Sequence, residues 1–511
     1  MIKNFKWLLF ASLSISLIAC SDDDTENESV AEAPLTAGSA DFSKYVALGN
    51  SLTAGFSDGT LFKAGQENAY PKLLADQFAT VGGGEFKIPY MNDNIGGLLL
   101  GGNQIPGFGP RLIFNGVGPV PLPGAVPTTE IAVPLTGPFQ NLGVPGAKSF
   151  HLLAPGYGDL AGLGTGTANP YFVRFRSSAA TSIMADAMVQ QPTFFSLWIG
   201  NNDVLGYATT GGDGSNPITP SAGSPGVGFD ATYAALLETL TSQGAKGVVA
   251  NIPYVTTIPH FTYISRTPLT ASSLGGGNQA AGEAAIGQLN AQLYGPLKAA
   301  LTAFGQGDRI NLLNVAGGNP LLIKDETLTN LSAELTAAFT PSLGAPTAAF
   351  YGQIFGQARQ TKTTDLILLT TSSVIGTAPT GIPAPLDKYG ITYPLQDKHI
   401  LIPSEINEIK LATDAFNTTI KTLAAAKGLA FVDANALLTQ LANGGIRFNN
   451  YTMNSTFVQG GAFGLDGIHI TARANAYIAN KFMEAINTTY GSTLRMYSPE
   501  SFPFSYPATL R

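Results

Sequence analysis

From Tyr45 onward, short apolar runs alternate with stretches in which apolar residues recur at helical spacing, the pattern of β-α units wrapped around a parallel sheet. Strands are expected over 45–48, 193–199, 247–252, 309–315 and 429–432, each bounded by Gly, Asp, Asn or Pro. The clearest helices are expected over 229–243, 279–304, 404–427 and 471–487, the third opening with Ser404 and Glu405 behind a proline. No internal repeat interrupts the series. The fold class is therefore α/β, and a chain of 511 residues with 12% charged residues can bury a substantial core.

Three stretches do not fit a minimal doubly wound core. Residues 96–138 are crowded with Gly and Pro, yet carry enough aliphatic and aromatic side chains to pack as a wall or lid. Residues 206–228 form a second Gly/Ser/Pro loop, and 259–403 read as a large elaboration that includes the apolar run 365–375. We therefore expect one domain over 41–490 with insertions at about 96–138, 206–228 and 259–403, followed by a C-terminal extension over 491–511.

The first residues follow a different logic. Lys3 and Lys6 precede an apolar run over 7–19, too short to span a bilayer as a mature helix and typical of a cleaved signal peptide. The run ends in Leu17-Ile18-Ala19-Cys20, which resembles a bacterial lipobox; the resemblance implies cleavage before Cys20, lipidation of its thiol and attachment to a membrane. As the chain's only cysteine, Cys20 leaves none for a disulfide. The acidic residues after it, Ser21-Asp22-Asp23-Asp24-Thr25-Glu26, open a polar tether expected over 20–40. They resemble the export signal of surface lipoproteins in the Bacteroidetes lineage, implying a place in the cell envelope at the outer membrane. The net charge of −7 offers no phosphate-binding footprint, so nucleic acid is not an expected partner.

Candidate chemistry sits at two distant points. Val46-Ala47-Leu48-Gly49-Asn50-Ser51-Leu52 puts a serine at the carboxyl end of the first strand, where open parallel sheets hold their ligands. Taken alone, such a serine is as readily a helix cap. Near the other end, Leu465-Asp466-Gly467-Ile468-His469 precedes the last expected helix. A hydroxyl is a weak nucleophile and needs a base; imidazole suits the task, and a carboxylate can fix its tautomer. Of the chain's four histidines, His151, His260 and His399 lack such an Asp neighbour, so His469 leads. Between these ends, Asn141-Leu142-Gly143-Val144-Pro145-Gly146-Ala147 and Trp198-Ile199-Gly200-Asn201-Asn202-Asp203 offer glycine backbone and asparagine amide of the kind an oxyanion hole uses.

The order of these four pieces resembles the conserved blocks of SGNH/GDSL hydrolases. The resemblance implies a three-layer α/β/α, flavodoxin-like core with a mainly parallel five-stranded sheet. It also implies Ser51 as nucleophile, Asp466 and His469 as its partners, and Ser51, Gly146 and Asn202 as oxyanion donors. It touches elements from Tyr45 to about Tyr490 but not the insertions. The family's Gly-Asp-Ser-Leu reads Gly49-Asn50-Ser51-Leu52 here: the amide keeps the shape and loses a charge. No Gly-x-Ser-x-Gly elbow or His-Glu-x-x-His cluster points to an α/β-hydrolase or a zinc enzyme. The expectation is a monomeric esterase of acyl lipids or acylated glycans, without metal or cofactor. The alternative is a surface lipoprotein that binds glycan or lipid through a hydrolase-like fold.

Overall fold

The computed structural model describes residues 34–511; the expected signal peptide, Cys20 and the acidic tether up to residue 33 lie outside the described residues. Five parallel strands form the main sheet: β1 (Tyr45–Gly49), β2 (Asn141–Gly143), β3 (Phe194–Trp198), β4 (Lys246–Ala250) and β5 (Ala430–Val432). Their order is β2-β1-β3-β4-β5, all neighbours parallel, with Ala47 opposite Asn141 on one side and Ser196 on the other.

The near-continuous apolar character of β1 and β3 follows from burial on both faces. Alternate residues serve opposite layers. Val46, Leu48, Phe195, Leu197 and Val249 join one core with helix α4 (Phe229–Thr241) and helix α5 (Pro403–Ala426). Tyr45, Ala47, Phe194, Val248 and Ala250 join the other with α2 (Tyr70–Ala79) and α7 (Ala472–Tyr490). Helices thus cover both faces of a parallel sheet. Beside the sheet also lie a single turn, α1 (Ser51–Ala54), then α3 (Asn201–Thr209) and α6 (Ala434–Asn443).

Two sequence expectations need correction. Residues 309–315 form no strand: a 3-10 turn over Gly307–Arg309 leads into extended backbone whose partners are side-chain amides. Gln360 exchanges hydrogen bonds with the Asn311 backbone at 2.8 and 2.9 Å, and Asn290 does the same for Leu313 at 2.8 Å. The apolar run supplies Ile310 and Leu313 to the insertion's own core, not to the sheet. The fifth strand is β2 instead. The helix expected over 279–304 is interrupted by a π turn, Asn290–Tyr294, ahead of Gly295–Ala303. Pro296 has no N–H to donate and its ring crowds the preceding turn, a misfit that the wider π ring absorbs.

The insertion over 259–403 carries a separate apolar cluster, including Ile286, Tyr294, Leu297, Leu335 and Phe355. Arg359 is buried there between Asp325 (2.6 Å) and Asp365 (2.7 Å). Boundaries drawn at 40 and 490 cut through packed structure. Ser39 N donates to Tyr490 O at 2.8 Å, so the tether meets the domain before Ala40. The C-terminal segment is clasped by the fully buried Arg111, whose guanidinium donates to Tyr506 O, Pro507 O and Leu510 O at 3.3, 2.6 and 2.7 Å.

Candidate active site

In a sheet of order 2-1-3-4-5, the chain leaves β1 and β3 toward opposite sides, and the crevice outside their carboxyl ends is the place ligands occupy. Ser51 follows β1 and Asn202 follows β3, so the topology brings both to that crevice.

The turn after β1 admits only the residues it has. A Cβ on Gly49 would lie 2.1 Å from Thr53 Oγ1 and 2.5 Å from Trp198 O. Asn50 caps α1 by accepting from Leu52 N at 3.1 Å, a bond that needs the side-chain oxygen but no charge. An uncharged Asn50 therefore suffices to cap this turn. Ser51 is the first residue of α1, largely buried, and one wall of a cavity of about 380 Å3 that also includes Gly146, Asn202 and His469. The structure thus brings together at one cavity Ser51, Gly146, Asn202 and His469, which stand up to 418 residues apart in sequence (469 − 51).

Gly146 has φ +83, a left-handed backbone that favours glycine. Asn202 donates through Nδ2 to Ala147 O at 2.9 Å, which fixes its amide beside the Gly146 loop. The neighbouring Asp203 ties the same loop to α3, accepting from Ser149 N at 2.8 Å and Ser149 Oγ at 2.7 Å. Burial pushes the Asp203 carboxyl up from its ordinary range, opposed by those hydrogen bonds. Gly200 forms the sharp entry to α3 at φ +114; a Cβ there would meet Ile252 Cδ1 at 2.5 Å.

The Asp466–His469 turn precedes α7, whose N-cap is Thr471. Asp466 Oδ2 takes His469 Nδ1 at 2.7 Å and Gly59 N at 2.9 Å; Oδ1 takes Ile468 N and His469 N, both at 2.9 Å. Burial alone would raise this carboxyl, but the His469 ring and the hydrogen bonds outweigh it and hold Asp466 at about 2. It is an anion at any working pH, holding one ring nitrogen of His469 and leaving Nε2 for the cavity. Phe56 lies over the imidazole with ring centres 4.4 Å apart. Among the described residues, neither Ser51 Oγ nor His469 Nε2 makes a hydrogen bond to another protein group.

Two of the other histidines have structural duties. His151 Nδ1 accepts from Lys148 N at 3.0 Å and its ring stacks on Tyr157 at 4.3 Å; His399 Nδ1 accepts from Gln396 N at 3.1 Å. Burial, with a nearby lysine, pushes both down to about 4. His260 packs behind the Asp466–His469 turn, its backbone N donating to Gly467 O at 3.0 Å.

Sequence reasoning missed Asp58 and Gly59. Asp58 adopts φ +48 and accepts from Leu465 N at 2.8 Å, while the next residue donates to Asp466, so this turn cradles the acidic end of the site. No local pattern marks it; the only signal was an Asp-Gly pair soon after the serine. Among the described residues, no group of three or more His, Cys, Asp or Glu is arranged to hold a metal, and no helix is long and apolar enough to cross a membrane. Comparison with profiles of protein families, with curated proteins and with solved structures finds no match for this chain.

Proposed function

We propose that this chain is a serine ester hydrolase of the SGNH/GDSL type, carried in the cell envelope on a lipidated Cys20. The observation that carries the reading is a single cavity walled by Ser51, Gly146, Asn202 and a His469 whose Nδ1 is held at 2.7 Å by the Asp466 carboxylate. An alcohol, a base with a fixed tautomer and amide donors beside a positive-φ glycine are what acyl transfer from an ester requires.

In this mechanism Ser51 Oγ attacks the ester carbonyl carbon while its proton passes to His469 Nε2. The oxyanion accepts hydrogen bonds from Ser51 N, Gly146 N and the Asn202 amide. The carbon–alkoxy bond then breaks, the alcohol leaves with the proton from His469, and water repeats the sequence to release the acid. Asp466 stays ionised and stabilises the imidazolium formed in each half. The test is hydrolysis of 4-nitrophenyl esters by the wild type, Ser51→Ala and His469→Ala. The expected result is turnover by the wild type and a loss of roughly 10³-fold or more in kcat for either variant. Equal activity in Ser51→Ala would end the reading, and a folded protein that turns over no ester would favour the binding lipoprotein.

A further inference from the structure

Ser51 and His469 also border a second cavity. It measures about 100 Å3 and shares Ser51, Asn202, Leu205, Ile468 and His469 with the first. Its wall is otherwise almost entirely carbon, built from Leu437, Leu438 and Leu441 of α6, Met453 of the hairpin that follows, and Ala474 and Ile478 of α7. The amide, hydroxyl and imidazole groups on it belong to Asn50, Ser51, Asn201, Asn202 and His469; otherwise only Tyr477 and Trp198 carry a polar side-chain atom, and the Trp198 indole N–H is taken up by Asn251 O. The first cavity is wider and carries the polar side chains of Asn169 and Thr209.

A carbon-walled space of this size has room for several waters but offers them few partners, so it favours an apolar occupant, and left empty it would cost stability. The hydroxyl of Ser51 stands at the junction of a narrow, almost wholly apolar space and a wider one of mixed polar and apolar lining. The two halves of an ester differ in the same way.

We propose that the narrow cavity between α6, the Ile446–Met453 region and α7 is an acyl-chain site, making the substrate an ester of an unbranched aliphatic acid longer than acetate. The alcohol leaves through the wider cavity. This rests on the ester-hydrolase reading and adds to it which acid is released. Each methylene moved from water into such a space raises kcat/KM by about fourfold, so butyrate is favoured over acetate by roughly fifteenfold and hexanoate further, until the cavity is full.

The experiment measures kcat/KM of the purified protein for 4-nitrophenyl acetate, butyrate, hexanoate and decanoate, in the wild type and in Leu438→Trp and Ile478→Trp. Both positions are only partly buried and lie on the cavity wall, so a larger side chain there narrows the cavity. Hexanoate is expected to exceed acetate by roughly tenfold or more in the wild type, and that ratio is expected to collapse by about tenfold in at least one variant. Inhibition of acetate hydrolysis by hexanoate should weaken in the same variant. A wild-type profile that is flat or falls with chain length overturns the acyl site while leaving the hydrolase reading intact, as does an unchanged ratio in both variants. No turnover of any ester overturns the hydrolase reading and this inference with it.

Discussion

Asp466 accepts four hydrogen bonds, from His469 Nδ1, Gly59 N, Ile468 N and His469 N, and two of them fix the imidazole that a nucleophilic Ser51 needs. Asp466→Asn keeps the shape and reverses the tautomer preference, so kcat is expected to fall by roughly 10⁴ with folding intact; a loss below tenfold would contradict that role. Asn202→Ala removes one oxyanion donor and is expected to lower kcat by roughly 10²–10³, while wild-type turnover would remove Asn202 from the site. Asp58 yields a pH prediction. Burial and the Asp466 charge push its carboxyl up from 3.8 to about 6, with Arg111 and His469 opposing. A carboxyl raised on folding binds more protons in the native state, so its contribution to stability falls as pH rises through about 6 and stays lowered above it. Asp58→Asn keeps an acceptor for Leu465 N and removes the charge. Its gain in Tm over the wild type is expected to be larger at about pH 8 than at about pH 5, and equal differences would refute the assignment. Ser51, His469, Asp466, Gly146 and Asn202 were legible because each lies in a short motif whose chemistry is local. Asp58 was not, because its partner Leu465 is 407 residues away.

The strands and helices that frame the crevice were readable where one periodicity dominates. β1 and β3 are apolar but for Ser196, and α4, α5 and α7 form within three residues of their expected limits. Periodicity failed where side chains took over backbone duties. The run 309–315 has the composition of a strand, but Gln360 and Asn290 satisfy its amides and no strand pairs with it. β2 was too short, at three residues, to stand out from the turn it precedes. The motif after β3 was legible as a candidate donor site but not as a clamp. Asp203 holds Ser149 and hence the Gly146 loop, so Asp203→Ala leaves the buried Ser149 groups unpaired. We expect it to lose about 2–4 kcal/mol of stability and to lower kcat even where the protein remains folded. Denaturant melts beside single-turnover kinetics would show this, and a stable variant of normal activity would contradict it.

For the molecule as a whole, the sequence indicated one elaborated α/β domain and placed its boundaries where charge and pattern change. The packing extends past both. Residues 36–40 lie against the end of α7, and the last residues return across the chain to Arg111, contacts no local signal announces. Arg111→Met would leave the carbonyls of Tyr506, Pro507 and Leu510 without that donor. We expect the C-terminal segment to become the first site of limited proteolysis, and cleavage starting elsewhere would contradict its role as a clasp. The proposed anchor has its own test: Cys20→Ala should move the protein from the membrane to the soluble envelope fraction. The proposed activity depends above all on the reactivity of one hydroxyl. Purified protein treated with a fluorophosphonate probe and mapped by peptide mass spectrometry should carry a single adduct on Ser51, lost in His469→Ala; an unlabelled Ser51 in folded protein, or an adduct confined to another residue, would contradict it.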